Sequence, residues 1–156
     1  MQREVFLMTL IVGERLMTPE QIRLVKASLP AILQIREVAA DLFYERLFEL
    51  DATTRPLFAG ADMRAQGAKL MSAIGMVVGA LDRFDTIRPH VQELALRHMR
   101  YGVLPPHYDS VGAALLWTLE RGLGVAFTPE LREAWTAAYA ALSGAMRGAG
   151  ESSLAA

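Results

Sequence analysis

The chain has 156 residues, of which 53% are hydrophobic and 21% are charged, with a formal net charge of -1. This length suits one domain with a sizeable core, and the composition argues against global disorder. The small charge argues against a nucleic acid or an anionic membrane held by bulk electrostatics. Because cysteine is absent, a disulfide, a thiolate metal site and a cysteine nucleophile are excluded, which fits a cytoplasmic protein.

Residues 1–16 are expected to form an extension that packs on the domain or on a second subunit. They include the apolar run VFLMTLIV at positions 5–12, which is much shorter than the ~20 residues that span a bilayer. A signal peptide would have a more basic start and a small-residue cleavage site, whereas GERL follows at positions 13–16. We therefore expect neither a membrane span nor a signal peptide.

Apolar residues at helical spacing run through residues 17–147, which we take as the domain. Two helix starts combine a cap, a first-turn proline and an acid: TPE at 18–20 and TPE again at 128–130. The first predicted helix runs to Pro30, the second covers 35–50, the third begins near Asp62 and reaches position 81, the fourth carries residues 91–98, and the fifth carries 111–119. No segment alternates apolar and polar residues, so the predicted class is all-α, with a short tail at 148–156.

The three histidines can be weighed one by one. His90 follows a proline in a polar first turn and is expected at the surface, while His107 follows two prolines and is expected in a loop or a helix start. His98 differs because it lies on the apolar stripe of its helix with Val91 and Leu94. Burial favours the neutral imidazole, which is the form that binds metals. A structural histidine in the core fits this pattern as well, so spacing alone leaves both interpretations open.

Other metal sites do not fit the spacing of the ligands. A carboxylate-bridged di-iron bundle needs two Glu-x-x-His pairs, and a zinc hydrolase helix needs His-Glu-x-x-His; the sequence contains neither. A four-coordinate zinc site is not expected either, because cysteine is absent and no second histidine is well placed. A cofactor that brings four nitrogens of its own and needs one protein ligand suits a single buried histidine best.

A series of segments, taken in order, resembles the globins, and most closely the bacterial single-domain haemoglobins and the haem domains of flavohaemoglobins. The similar segments are LFYERLF (42–48), RPLF (55–58), LRHMRYGV (96–103), HY followed by VG (107–112) and WTAAY (135–139). They resemble, in turn, the family's second helix, the turn whose phenylalanine contacts the haem, the proximal helix with its corner, the start of the next helix and the final helix. The resemblance extends from residue 17 to about 146 and implies a globin fold packed around haem b.

The resemblance also implies roles for single residues. His98 would ligate the iron through its outer nitrogen, and its other N–H has the Leu94 carbonyl, one turn earlier, as its natural acceptor. Tyr44 and Gln66 would be the distal donors to a bound gas, although a solvent-facing position is the alternative for each. Tyr108 would polarise the proximal histidine. Haem contacts, or ordinary core packing for the aliphatic members, are expected at Phe58, Leu70, Val103, Val111 and Leu115.

One position departs from the flavohaemoglobin pattern. There, a glutamate late in the last helix acts together with the tyrosine that Tyr108 matches. The count from Trp135 reaches Gly150 in this chain, and Glu151 is one residue further. Glycines at 144, 148 and 150 suggest that the helix frays before that point, so the role of Glu151 stays open.

The resemblance implies a haem protein that binds dioxygen and other diatomic gases reversibly, for oxygen storage or transport. The enzyme alternative is a nitric oxide dioxygenase, with Tyr44, Gln66 and Tyr108 as its catalytic residues. Because the chain ends about twenty residues after Trp135, that enzyme would need an external electron-donating reductase. A gas sensor and a helical domain without haem are further alternatives. The sequence does not predict the oxygen affinity, an internal sixth ligand, or whether the protein is a monomer or a homodimer.

Overall fold

The structure is a computed structural model that describes the backbone of residues 10–12 and 15–155 and the side chains of residues 17–150. It contains two short strands and six α-helices: β1 (Leu10–Val12), β2 (Arg15–Met17), α1 (Pro19–Gln34), α2 (Arg36–Leu50), α3 (Met63–Gly79), α4 (Arg88–Arg100), α5 (Pro105–Leu123) and α6 (Pro129–Ala155). Three 3₁₀ helices lie at Ala52–Phe58, Leu81–Ile87 and Gly124–Ala126. The all-α class predicted for the domain is confirmed, because the two strands lie at its N-terminal edge and every element that follows Met17 is helical.

The two strands form an antiparallel hairpin in which Leu10 is paired with Met17. This hairpin packs against α6 and against the 3₁₀ helix at Leu81–Ile87, and Met17 is fully buried. The described part of the extension therefore lies on the domain, whereas residues 1–9 and 13–14 lie outside the described residues. Strands of three residues are too short to show an alternating pattern, so the sequence did not predict them.

The predicted helix starts are present, and their caps explain them. At α1, the Gln21 N–H donates to the Thr18 hydroxyl and the Thr18 N–H donates to the Gln21 side chain, both at 3.1 Å. Asp62 caps α3 by accepting the Arg64 N–H at 3.0 Å. Thr128 caps α6 by accepting the Leu131 N–H at 3.2 Å. These contacts satisfy backbone donors that have no partner inside the helix.

Two helices are longer than predicted. Helix α1 continues through Pro30 to Gln34. The proline removes one backbone hydrogen bond and crowds the preceding turn, and the buried residues Val25 and Ile32 on either side hold the helix in the core. Helix α6 continues through the glycines to Ala155, so the expected fraying is wrong. Gly150 is buried, and a Cβ placed there would lie 3.1 Å from Met99 Sδ. Packing of α6 on α4 thus offsets the weak helix propensity of glycine.

The main core lies between the hairpin, α1, α4, α6 and the 3₁₀ helix at Leu81–Ile87. Trp135 is buried there, and its indole N–H donates to the Ser28 hydroxyl at 2.9 Å. Along the described chain, no helix combines the length and the apolar character needed to cross a membrane. A second, aromatic cluster lies where α2 meets α3, α5 and the 3₁₀ helix at Ala52–Phe58, and it borders the candidate site.

Candidate functional site

His98, near the end of α4, is held in one orientation by its own helix. Its Nδ1 lies 2.8 Å from the Leu94 carbonyl oxygen, and because a carbonyl only accepts, Nδ1 carries the proton. Burial lowers the pKa of His98, the bond to Leu94 partly opposes this, and the charge of Arg97 lowers it further. These effects together favour the neutral imidazole, and its Nε2 has no hydrogen-bond partner among the described residues. A free lone pair on Nε2 is what a metal ligand requires.

A tight corner follows His98 and brings the end of α4 close to the first 3₁₀ helix. The Val103 N–H donates to the His98 carbonyl at 3.0 Å. Gly102 has a φ of 95°, which few residues other than glycine adopt. A Cβ on Gly102 would lie 3.5 Å from the Leu57 side chain. The corner therefore places half-buried Val103 beside the segment that ends at Phe58.

Tyr44 is buried in the aromatic cluster together with most of the predicted contact residues. Its ring centroid lies 5.2 Å from that of Phe58 at an interplanar angle of 69°, and 6.2 Å from that of Phe48. The contact with Phe58 is edge-to-face, an arrangement that holds aromatic rings in defined positions. The same cluster contains Leu70 from α3 and the α5 residues Val111 and Leu115.

Gln66 of α3 approaches the Tyr44 hydroxyl. Burial raises the pKa of Tyr44 to about 12, and the Gln66 side chain, which can hydrogen-bond to the hydroxyl, opposes that rise. Tyr44 is 7% exposed and Gln66 is half-buried, so neither side chain points freely into solvent. Next to this pair, a Cβ added to Gly67 would lie 2.9 Å from the Ala40 Cβ. The close contact between α2 and α3 thus brings together two helices that each carry a neutral side chain able to donate a hydrogen bond.

Tyr108 is not brought to His98 by any hydrogen bond among the described residues. The Arg147 guanidinium carbon lies 5.2 Å from the Tyr108 ring centroid, and Arg147 also pairs with Asp109 at 2.8 Å. Burial raises the pKa of Tyr108, and the Arg147 charge opposes this. The polarising role of Tyr108 therefore stays a prediction. Position 150, where the family count falls, is a buried glycine, and the side chain of Glu151 lies outside the described residues.

His107 is the residue whose environment the sequence did not predict. It is only 7% exposed, and its Nδ1 accepts the Leu104 N–H at 2.9 Å. Its Nε2 lies 3.0 Å from the Thr53 hydroxyl. One signal was available, because a polar residue three positions after a helix cap often reaches back to that cap. His90, in contrast, is exposed as expected.

The donor set fits haem. It offers one neutral imidazole with a free nitrogen, an apolar and aromatic wall, and two neutral donors. No three histidine or carboxylate side chains of the described residues lie close enough together to hold a metal ion. A flat cofactor that supplies four ring nitrogens needs only one protein ligand and apolar contacts, as haem does.

Comparison with known proteins agrees with this conclusion. The family model described as Globin matches residues 41–146, and the chain therefore belongs to the globin family. Its relatives include the flavohemoprotein of Deinococcus radiodurans, which is 32% identical over 135 residues, or 85% of this chain and 34% of that protein. The flavohemoprotein of Vibrio cholerae is 29% identical over 126 residues, or 80% of this chain and 32% of that protein. The chain thus spans about a third of the length of these relatives.

Solved structures show the same fold. A bacterial globin from Campylobacter jejuni matches with a TM-score of 0.80 and 25% identity, over 89% of this chain and 100% of that one. A second match is an engineered carbene transferase derived from a candidate nitric oxide dioxygenase of Rhodothermus marinus. Its TM-score is 0.80 and its identity 28%, over 88% of this chain and 96% of that one. The predicted globin fold is confirmed, and family membership implies that the chain binds haem.

Proposed function

We propose that this chain binds haem b through His98 and uses it to bind dioxygen and other diatomic gases reversibly. The observation that supports this most directly is the His98 imidazole, which donates Nδ1–H to the Leu94 carbonyl and leaves Nε2 free. When bound, ferrous haem supplies an open coordination position for a diatomic gas. The chain supplies the ligand nitrogen, the orientation of its ring and an apolar enclosure.

In this proposal the Tyr44 hydroxyl donates a hydrogen bond to the bound gas. Because burial raises the pKa of Tyr44 to about 12, the hydroxyl keeps its proton at physiological pH. A gas that gains partial negative charge when it binds would be stabilised by such a donor in apolar surroundings. Gln66 acts as a second donor or orients the hydroxyl. Val103 and the residues that share the cluster with Tyr44 exclude water and contact the cofactor: Phe58, Leu70, Val111 and Leu115.

A nitric oxide dioxygenase is the second candidate, favoured by two similarities. The relatives include flavohemoproteins, and one structural neighbour is a candidate nitric oxide dioxygenase. In that enzyme Tyr44 and Gln66 would hold the oxygen, and Tyr108 would act on the proximal side. A reductase would supply the electrons for repeated turnover.

Two measurements on the hemin-loaded, reduced protein separate these candidates. For reversible binding, the absorption spectrum should return to the ferrous form each time oxygen is replaced by argon. For a dioxygenase, nitrate should accumulate over many turnovers with nitric oxide, oxygen, NADPH and a flavodoxin reductase, at a rate that follows the reductase concentration. A single turnover does not separate them, because most oxygenated globins react once with nitric oxide. Failure to take up hemin would contradict both.

A further inference from the structure

A chain of hydrogen bonds begins at the corner that follows His98. The Leu104 N–H donates to His107 Nδ1 at 2.9 Å, so Nδ1 carries no proton. In the neutral ring the proton must then lie on Nε2, which is 3.0 Å from the Thr53 hydroxyl oxygen. His107 therefore joins the start of α5 to the 3₁₀ helix at Ala52–Phe58 in a defined direction.

The same chain continues to the end of α2. The Thr53 hydroxyl accepts from His107 and donates its own proton to Asp51 Oδ1 at 2.5 Å. Asp51, the residue directly after α2, also accepts from the Ser110 hydroxyl at 2.8 Å. Hydrogen bonds from Thr53 and Ser110 hold the pKa of Asp51 below its ordinary value. Asp51 is thus a carboxylate acceptor, and every bond in the chain has one possible donor.

The two ends of this chain of hydrogen bonds lie on the two sides of the proposed gas site. One end adjoins the corner after His98, and the other end adjoins the helix that carries Tyr44. Leu104 directly follows Val103, whose N–H is bonded to the His98 carbonyl. Asp51 ends the helix that carries Tyr44 about two turns earlier. We infer that His107 is a positioning residue that, through Thr53 and Asp51, sets the position of the His98 corner relative to the Tyr44 helix. This inference rests on the proposed function, because the two elements enclose a gas site only when haem is present.

Capping of the Leu104 N–H explains Nδ1 of the buried imidazole, but it does not explain the bond between Nε2 and Thr53. A shorter polar side chain could cap the helix without the free-energy cost of removing a second ring nitrogen from water. A fully bonded polar chain specifies one arrangement of the groups it joins, whereas apolar contacts allow several. Breaking one bond of the chain is therefore expected to change both sides of the site together.

Two variants break the same bond from opposite ends. Thr53→Val removes the hydroxyl and keeps a similar shape. His107→Asn keeps an oxygen near the position of Nδ1 for the Leu104 N–H, but the shorter side chain does not reach Thr53. Ser110→Ala is the matched control, because it removes the other hydroxyl bonded to Asp51 and leaves the chain intact. Each variant is loaded with hemin, reduced and treated with carbon monoxide.

The iron–histidine vibration of the ferrous protein reports on His98, and the vibration of bound carbon monoxide reports on the donors near Tyr44. Thr53→Val and His107→Asn should shift both bands and raise the gas dissociation rate about 3- to 10-fold, as expected when one hydrogen bond is lost. The double variant should equal Thr53→Val, because that substitution already removes the bond to His107 together with the bond to Asp51. Ser110→Ala should move neither band. A lower melting temperature with both bands unchanged, or additive effects, would overturn the inference.

The hydrogen-bond chain can also be tested without relying on the function. ¹⁵N NMR of the histidine rings in the full chain, with and without hemin, should show His107 protonated at Nε2 only. A proton on Nδ1 would refute the geometry itself. An intact chain of hydrogen bonds, combined with vibrational bands that do not shift in the variants, would refute only the coupling between the two sides of the gas site. Absence of hemin uptake would refute the proposed function, and the coupling with it.

Discussion

Replacing Tyr44 with phenylalanine removes one oxygen atom from the aromatic cluster and leaves its packing nearly unchanged. The ring contacts Phe43 at 5.0 Å and Phe58 at 5.2 Å between centroids, and a phenylalanine ring preserves both. The substitution therefore tests the hydroxyl alone. It should leave hemin uptake and the melting temperature close to those of the unmodified protein.

The size of the effect follows from the burial of the hydroxyl. Tyr44 is 7% exposed, and burial raises its pKa to about 12, so it donates from an apolar and poorly hydrated position. A hydrogen bond to a group that carries charge contributes about 1.5–3 kcal/mol, which corresponds to roughly 10- to 150-fold in a rate. We expect the oxygen dissociation rate of Tyr44→Phe to rise by about that factor, with a much smaller change for carbon monoxide, which gains little charge when bound.

Stopped-flow replacement of oxygen by carbon monoxide measures this rate directly. Tyr101→Phe is the matched control, since Tyr101 is 70% exposed and the same chemical change there should leave the rate unaltered. Equal dissociation rates for Tyr44→Phe and the unmodified protein would refute the role of the hydroxyl. Equal increases for both gases would indicate a change in packing in place of a lost hydrogen bond.

Three further predictions concern the surroundings of Tyr44. Gln66→Leu should raise the oxygen dissociation rate by less than Tyr44→Phe does and should raise the pKa of Tyr44 further, because Gln66 now lowers it; ultraviolet titration of tyrosine measures that shift. Because burial raises the pKa of Tyr44 from its ordinary value of 10.0 to about 12, the stability that depends on its protonated form is complete below about pH 10 and is lost as the pH rises toward 12. Between pH 10 and pH 12, the free energy of unfolding measured with denaturant should therefore fall more steeply in the unmodified protein than in Tyr44→Phe. Parallel curves for the two proteins would contradict this. Gly67→Ala should destabilise the fold by about 1–3 kcal/mol, since its Cβ would lie 2.9 Å from that of Ala40. Gly75→Ala in the same helix meets nothing within 4 Å and should stabilise by up to about 1 kcal/mol.

The features that the sequence predicted well are local ones. Helix caps depend on residues three positions apart, as with Thr18 and Gln21, and the bond between His98 and the Leu94 carbonyl spans one helical turn. Local patterns cannot predict that two residues on different helices lie close together. For Tyr44 and Gln66, that prediction came from the family resemblance. Tyr44 is buried and Gln66 is half-buried, and their role as distal donors stays a prediction.

The features that the sequence did not predict depend on distant contacts. Thr53 and His107 are separated by 54 positions, and Arg147 and Asp109 by 38, so neither pair produces a local pattern. The glycines of α6 predicted an early end to that helix by propensity, yet packing against Met99 keeps it helical. Tertiary contacts decide such cases because the differences in propensity amount to only about 1 kcal/mol per residue.

The most direct test of the account is the absorption spectrum of the hemin-loaded protein in its ferrous and carbon monoxide forms, compared between the unmodified chain and His98→Ala. We expect the spectrum of a histidine-ligated globin in the unmodified protein, its loss in His98→Ala, and its return when imidazole is added. An unmodified protein that does not take up hemin, or a His98→Ala variant with an unchanged spectrum, would contradict the assignment of His98 as the iron ligand.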